Sequence, residues 1–247
     1  MEHKEYKRIT GHSSLAILFI HGIVGTPNHF HAFIPLIPQS VSVYNLLLDG
    51  HGKGVSDFSH TSMKKWEKQV SAAVEELSQT HKEIYIVAHS MGTLLAIEQA
   101  RKNKSITKLF LLATPLKLSL KRKMFSNSFK VRFGKIQAED AEALAAKKCY
   151  GIADDKNLFH YLGWLPRLFE LFAKIRYTRT MIKDLDTPCV AYQSCQDEMV
   201  SVKSRTYLEQ NPCITVKELK QSGHYYYPKE DWDFLMKEFT AMLDIVK

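Results

Sequence analysis

Three residues in this chain have the types and the order needed for acyl transfer. Ser90 stands in YIVAHSMG, Asp197 in SCQDEMV and His224 in QSGHYYY. A serine hydroxyl becomes a competent nucleophile when an imidazole removes its proton and a carboxylate fixes the imidazole. The order serine, acid, histidine suits a site in which the serine sits on a sharp turn between a strand and a helix. Such a turn brings strand and helix so close that the positions two before and two after the serine must be small. Ala88 and Gly92 occupy them. A [GA]-x-S-x-G match arises by chance roughly 0.1 to 0.2 times in a chain of this length, so the flanking pattern carries more weight than the match itself. That pattern is an apolar strand-like run before Ser90 and a helical spacing of Leu94, Leu95 and Ile97 after it.

Eleven histidines make any one of them cheap, and position has to choose. His224 alone follows a predicted strand in the right order. His81 precedes a strand, His160 lies in an insertion, and His3, His12 and His60 read as surface residues. Asp197 is the first acid past its predicted strand and is preferred to the adjoining Glu198, which spacing does not exclude. Asp184 and Asp186 precede that strand, at the wrong end. An acyl-transfer site also requires N–H donors for the oxyanion. Met91, directly after the serine, supplies one; HGIVG, His21 to Gly25, follows a predicted strand and offers Ile23 for the second. Gly22 lets the backbone approach a substrate. His21 and His89, read as loop organisers rather than proton shuttles, border the substrate position with it.

Near-continuous apolar runs read as buried parallel strands: LAILFI (15–20), VSVYNLLL (41–48), IYIVA (84–88), KLFLLA (108–113) and PCVAYQS (188–194). ITVKEL (214–219) alternates as a more exposed strand, and residues 4–10 add a further pairing segment. Helical spacings lie between them, as in Trp66, Val70, Ala73, Val74 and Leu77, and again in Trp232, Leu235, Phe239 and Leu243. Alternating strand and helix predicts an α/β fold with a mainly parallel sheet, and ligands then bind beyond the carboxyl ends of the strands. Ser90, Asp197 and His224 all fall on that edge.

The alternation stops between residues 115 and 186, where only helical patterns are expected. This divides the chain into a core, 1–114 and 187–247, and a helical cap. Within the cap, LFHYLGWLPRLFELFAKIRY (158–177) is strongly apolar and is expected to break near Gly163 and Pro166. The net charge of +8 would by itself suggest nucleic acid. However, residues 115–182 contain 14 Lys and Arg against 6 Asp and Glu, leaving 20 of each in the rest of the chain. The excess therefore belongs to the cap, and no nucleic-acid partner is expected. Amphipathic cap helices are read as burying their apolar faces and leaving Lys and Arg in water; contact with a membrane surface is the less favoured reading.

A charged amino terminus without an apolar leader, and no run of the length needed to cross a bilayer, make a cytoplasmic location the expectation. The four cysteines, in no metal or redox spacing, read as reduced and structural. Gly50, Gly52 and Gly54 lack the spacing of a phosphate cradle, with His51 packing under that turn, and no metal or cofactor is expected.

HGIVGTPNHF, DGHGKGVSD, AHSMG, QDEMVS and SGH together resemble the α/β-hydrolase superfamily, specifically its small bacterial carboxylesterases near the monoacylglycerol lipases. The resemblance spans nearly the whole chain. It implies a cap inserted after the sixth strand, a triad of Ser90, Asp197 and His224, oxyanion donors at Ile23 and Met91, and no cofactor. The implied activity is hydrolysis of carboxylic esters with a hydrophobic acyl chain, monoacylglycerols among them. A thioesterase, a peptidase or a lipid-binding protein using the basic cap are the alternatives. Two departures stand out: Ala88 replaces the usual glycine of the turn, and Ile23 stands where many members carry an aromatic residue.

Overall fold

A computed structural model describes residues 3–11, 13–119, 121–124, 126, 130, 136–153, 155 and 157–244. Its strands in chain order are β1 (Tyr6–Arg8), β2 (Leu15–Ile20), β3 (Ser42–Leu46), β4 (Lys53–Gly54), β5 (Glu83–His89), β6 (Ile106–Leu112), β7 (Ile152–Ala153), β8 (Cys189–Ser194) and β9 (Ile214–Leu219). Seven of them form one sheet in the order β1-β3-β2-β5-β6-β8-β9. The pairings from β3 through β9 are parallel, and only β1 runs antiparallel, against β3. The pairing segment expected at the amino terminus is this single edge strand.

Burial on both faces explains the continuous apolar runs. In β2, Leu15, Ile17 and Phe19 enter one core cluster, while Ala16, Leu18 and Ile20 enter the other; successive side chains of a strand point to opposite faces. The helices are α1 (Val55–Ser59), α2 (Met63–Ser78), α3 (Met91–Lys102), α4 (Ala141–Cys149), α5 (Leu165–Met181), α6 (Arg205–Leu208) and α7 (Lys229–Asp244). Trp66, Val70 and Leu77 of α2 and Leu94 and Ile97 of α3 pack on one face with Leu171 and Ile175 of α5. Leu235 and Phe239 of α7 pack on the other, against Phe30 and Phe33. The α2 amino terminus is capped by Ser62, whose hydroxyl accepts the Lys65 N–H at 3.2 Å.

From β2 the chain steps to β3 on one side, then crosses back to place β5 on the other, with Ile20 opposite Ala88. The loops leaving β2 and β5 therefore diverge at the point where the strand order reverses, which opens a crevice at the carboxyl edge.

After β6 come α4, β7, a 3-10 turn over Leu158–Trp164, and α5. One expectation for this segment changes. It contains a strand, because β7 pairs with β4 in a two-residue parallel ladder. The expected break near Gly163 and Pro166 falls where the 3-10 turn ends at Trp164 and α5 begins, with the proline in the first turn of α5, where its missing N–H removes no helical hydrogen bond. At Gly163, a Cβ would fall 2.5 Å from Ser59 Oγ, so the glycine permits the 3-10 turn to approach α1.

Helix α5 buries Leu171, Ile175 and Met181 as expected, but it also buries a lysine and leaves apolar side chains outside. Lys174 is buried and paired with Glu98 and, at 2.6 Å, with Glu67, and Arg167 is held by Glu170 and by the Ser59 carbonyl. Leu165, Phe169 and Phe172 face outward.

Candidate active site

Ser90 occupies the single residue between β5 and α3, with φ 51° and ψ −125°. An L-residue with positive φ is strained, and here three hydrogen bonds hold it. The Ser90 N–H donates to Leu112 O at 2.9 Å, and Ser90 O accepts from the Thr93 N–H at 2.9 Å and the Thr93 hydroxyl at 2.7 Å. A Cβ on Gly92 would lie 2.2 Å from Ile20 O and 2.7 Å from His21 O, so no other residue fits there. Ala88 is fully buried and packs in the same core cluster as Ile20 and Met91. The close approach thus falls on the helix side of the turn, and the Ala88 methyl is accommodated as ordinary core.

The loop after β2 folds over this turn. A Cβ on Gly22 would lie 2.9 Å from Ser90 Cβ, so this glycine keeps the space beside the serine clear. Val24 has φ 51°, and the Gly25 N–H closes the turn onto Gly22 O at 3.1 Å. Among the described residues, neither the Ile23 nor the Met91 N–H donates to a backbone acceptor in a turn or loop.

Gly151, directly before β7, holds this loop. Its N–H donates to Val24 O at 2.8 Å, and its carbonyl accepts the Gly52 N–H at 2.7 Å. A Cβ on Gly151 would lie 1.9 Å from Thr26 Cγ2 and 2.8 Å from Gly25 O.

On the far strands, His224 Nδ1 lies 2.8 Å from Asp197 Oδ2, with both side chains buried. The other carboxylate oxygen, Oδ1, accepts the N–H groups of Met199 and Val200, each at 2.8 Å. A carboxylate so held keeps the ring in one orientation, with Nδ1 protonated and Nε2 carrying a lone pair. Glu198 plays a different part, since its Oε2 accepts the His224 backbone N–H at 3.0 Å. Backbone bonds staple the acid loop in place, to the β9 end through Gln196 N–H on Ser222 O at 3.1 Å and to the start of the cap segment through Lys121 N–H on Glu198 O at 2.9 Å. Burial alone would push the His224 ring down. The Asp197 charge and hydrogen bond, with the Glu198 charge behind them, outweigh it and raise His224 above the ordinary imidazole value.

The structure does not place His21 and His89 as substrate contacts through their side chains. Both are fully buried. His21 Nδ1 donates to Gly22 O at 2.9 Å while its Nε2 accepts the Leu48 N–H at 3.1 Å. His89 Nε2 donates to His224 O at 3.0 Å, and its ring stacks on His29 at 4.0 Å between centroids. Desolvation, reinforced by neighbouring imidazoles, holds both well below the usual range, so they tie loops together as neutral rings. His51 packs beneath the turn, edge-on to His21 and Phe58, and burial lowers it to about 4. His81 is bonded at 2.8 Å to Ser42 Oγ, near the start of the strands.

Near the site, Cys149 Sγ lies 3.5 Å from His29 Nδ1, a second pairing of nucleophile and base. Burial pushes the thiol up to about 12 and the imidazole down to about 3. The proton therefore stays on sulfur, and this pair has no thiolate to offer. Among the described residues, no group of three or more His, Cys, Asp or Glu could hold a metal ion.

Of the residues picked out in the sequence, the fold brings Ser90, Gly22, Ile23 and Met91 to one corner of the crevice, and joins Asp197 to His224 directly. Glu198 entered sequence reasoning only as a rival to Asp197, and its adjacency was the sole signal. Gly151 was missed, because a lone glycine in an insertion has no local mark of the loop it meets.

Residues 17–237 match the alpha/beta hydrolase family. The chain belongs to that family. No curated protein matches the sequence. Among solved structures, a metagenome-derived lipolytic enzyme from work on LipS and LipT superposes with a TM-score of 0.75 at 14% identity, covering 99% of this chain and 98% of the other. The monoacylglycerol lipase of Paleococcus ferrophilus gives 0.71 at 18% identity over 100% of both chains. Est1E of Butyrivibrio proteoclasticus, with ferulic acid bound, gives 0.67 at 16% identity over 98% of this chain and 94% of its own. At these identities the likeness is one of fold. A hydrolase is the class that family and neighbours support.

Proposed function

We propose that the protein is a serine carboxylesterase acting on esters with a hydrophobic acyl chain, monoacylglycerols among them, with Ser90, His224 and Asp197 as its triad. The observation that carries this reading is the buried Asp197–His224 bond of 2.8 Å on the same sheet edge as a serine held at φ 51°. In the proposed reaction, Nε2 of His224 takes the Ser90 proton as Oγ attacks the ester carbonyl. The Ile23 and Met91 N–H groups receive the negative charge that develops on the carbonyl oxygen. His224 then hands its proton to the departing alcohol, leaving an acyl group on Ser90. Water, deprotonated by the same imidazole, releases the acid and restores the serine.

Residues 115–186 would form a cap over the crevice, and its apolar character favours a hydrophobic acyl group. A peptidase needs acids to hold a substrate amine, which the basic cap disfavours. Acyl thioesters remain the competing substrate class. A fluorophosphonate probe tests the mechanism: labelling should map to Ser90 and vanish in Ser90→Ala, and an unlabelled folded wild type would refute it. Parallel turnover of p-nitrophenyl esters of increasing acyl length and of acyl-CoA distinguishes the ester reading from the thioester one.

A further inference from the structure

Helix α5 is apolar on both sides, with Leu171, Ile175 and Met181 buried inward beside a buried lysine. Its inward side holds Lys174, only 4% exposed, paired with Glu98 and Glu67. Its outward side presents Leu165, Leu168, Phe169 and Phe172, and the 3-10 turn leading into it adds Phe159 and Leu162. Phe159 is 78% exposed and Phe169 68%. Positions 162, 165, 169 and 172 keep the three-and-four spacing of one helix face, so the side chains form a stripe rather than scattered surface residues. A stripe of this size in water implies a surface that covers it.

The charges around the stripe say what kind of surface. Three acids near α5 are already paired, Glu67 and Glu98 with Lys174 and Glu170 with Arg167. Arg176 is exposed on α5 itself, and Lys64 and Lys68 are exposed on α2, the helix joined to α5 by the Met63 N–H on Glu170 at 2.9 Å and by the Glu67–Lys174 pair. The segment as a whole carries the chain's excess of +8. A second copy meeting this face through a two-fold axis would set these cations against their own images, at a Coulombic cost. Among the described residues no helix is long and apolar enough to cross a membrane; an apolar face accompanied by exposed Lys and Arg instead suits a helix lying in the interface.

We propose that the α5 face seats the protein on an anionic phospholipid surface, with Phe159, Phe169 and Phe172 entering the acyl boundary and Arg176, Lys64 and Lys68 meeting the headgroups. Apolar burial and charge attraction act together there, each insufficient alone. The proposal is independent of the chemistry at Ser90.

Co-sedimentation of the full chain with vesicles of phosphatidylcholine alone, or mixed with phosphatidylglycerol, tests it. The wild type should partition onto the anionic vesicles about tenfold more strongly than onto neutral ones, and about 0.5 M salt should erase that preference. The double variant F169D/F172D should bind at least about tenfold more weakly, and Arg176→Gln about fivefold more weakly. Both should keep the wild-type circular dichroism, since these side chains are exposed. Failure of the wild type to bind anionic vesicles, equal binding to neutral ones, or undiminished binding by F169D/F172D overturns the proposal. A dimer in sedimentation velocity that F169D/F172D dissociates would assign the face to a second copy, and equally overturns it.

Discussion

The Gly151 N–H donates to Val24 O at 2.8 Å, so a glycine from the segment between β6 and β8 holds the loop that presents Ile23. Val24 sits at φ 51°, and a strained residue keeps its conformation only where neighbours over-determine it. The Gly151 contacts do this from above, the Gly22–Gly25 turn from within. One consequence is that the inserted segment and the proposed oxyanion donor Ile23 are mechanically joined.

Gly151→Ala should therefore damage catalysis more than binding. The added Cβ would fall 1.9 Å from Thr26 Cγ2, and the loop must shift to admit it. Loss of one well-placed oxyanion donor costs about 10²- to 10³-fold in kcat, and we expect a loss approaching that range with KM changed little. Steady-state ester hydrolysis measures it, and a wild-type kcat in Gly151→Ala would show that the clamp does not govern Ile23.

The two adjacent acids should separate cleanly. Asp197→Asn leaves a ring partner of the wrong kind, and kcat is expected to fall on the order of 10⁴-fold. Glu198→Gln retains an acceptor for the His224 backbone N–H, so most activity should survive. It removes one of the charges that raise His224, so the acid limb of kcat/KM should move to lower pH. Equal loss of rate in both variants would contradict this division of labour.

In the wild type, that acid limb should lie above the ordinary histidine value of about 6.5, because His224 is raised and acts as a base only when neutral. The stability term has the same sign logic. A raised His224 stabilises the fold fully below the unfolded value, and this is lost as pH rises through its folded value. His21, His29, His51 and His89 are lowered, so their contribution is present above about 6.5 and is lost as pH falls. For His51, lowered to about 4, the loss on acidification to that pH is about 3 kcal/mol. Four rings against one predict a melting temperature that falls steadily below neutrality. Melting curves at a series of pH values check this, and a constant midpoint down to about pH 4 would contradict it.

Ser90→Gly should raise the melting temperature while abolishing fluorophosphonate labelling. Glycine adopts φ 51° without strain, and relief of such a conformation is worth about 1 kcal/mol. Destabilisation on this substitution would mean that the serine is not strained in the native turn.

Restoring the missing glycine before the serine should bring no gain. Ala88 is fully buried in a strand whose tight approach is made at Gly92, not here. Ala88→Gly is expected to cost about 0.5 to 1 kcal/mol in stability and to leave kcat within about twofold. An accelerated Ala88→Gly enzyme would show that the methyl distorts the turn.

Features set by neighbours in sequence were legible without coordinates. The apolar runs at 15–20 and 84–88 announce buried strands because both faces of a central strand are covered, and the turn at Ser90 is marked by small residues two positions either side. The order of Ser90, Asp197 and His224, with the strand ahead of each, placed all three on one edge. What tertiary structure decided were matters of partnership across the chain. Asp197 and Glu198 are identical in sequence context, and only the path of the β9 loop gives one to the His224 ring and the other to its backbone. His21 and His89 border the site in sequence, but the fold turns their rings onto the backbone, where they are unavailable to a ligand. The buried lysine of α5 was hidden for the same reason. Helical periodicity names a face without saying what it meets, and Lys174 points inward because Glu98 and Glu67, 76 and 107 positions away, are there to pair with it.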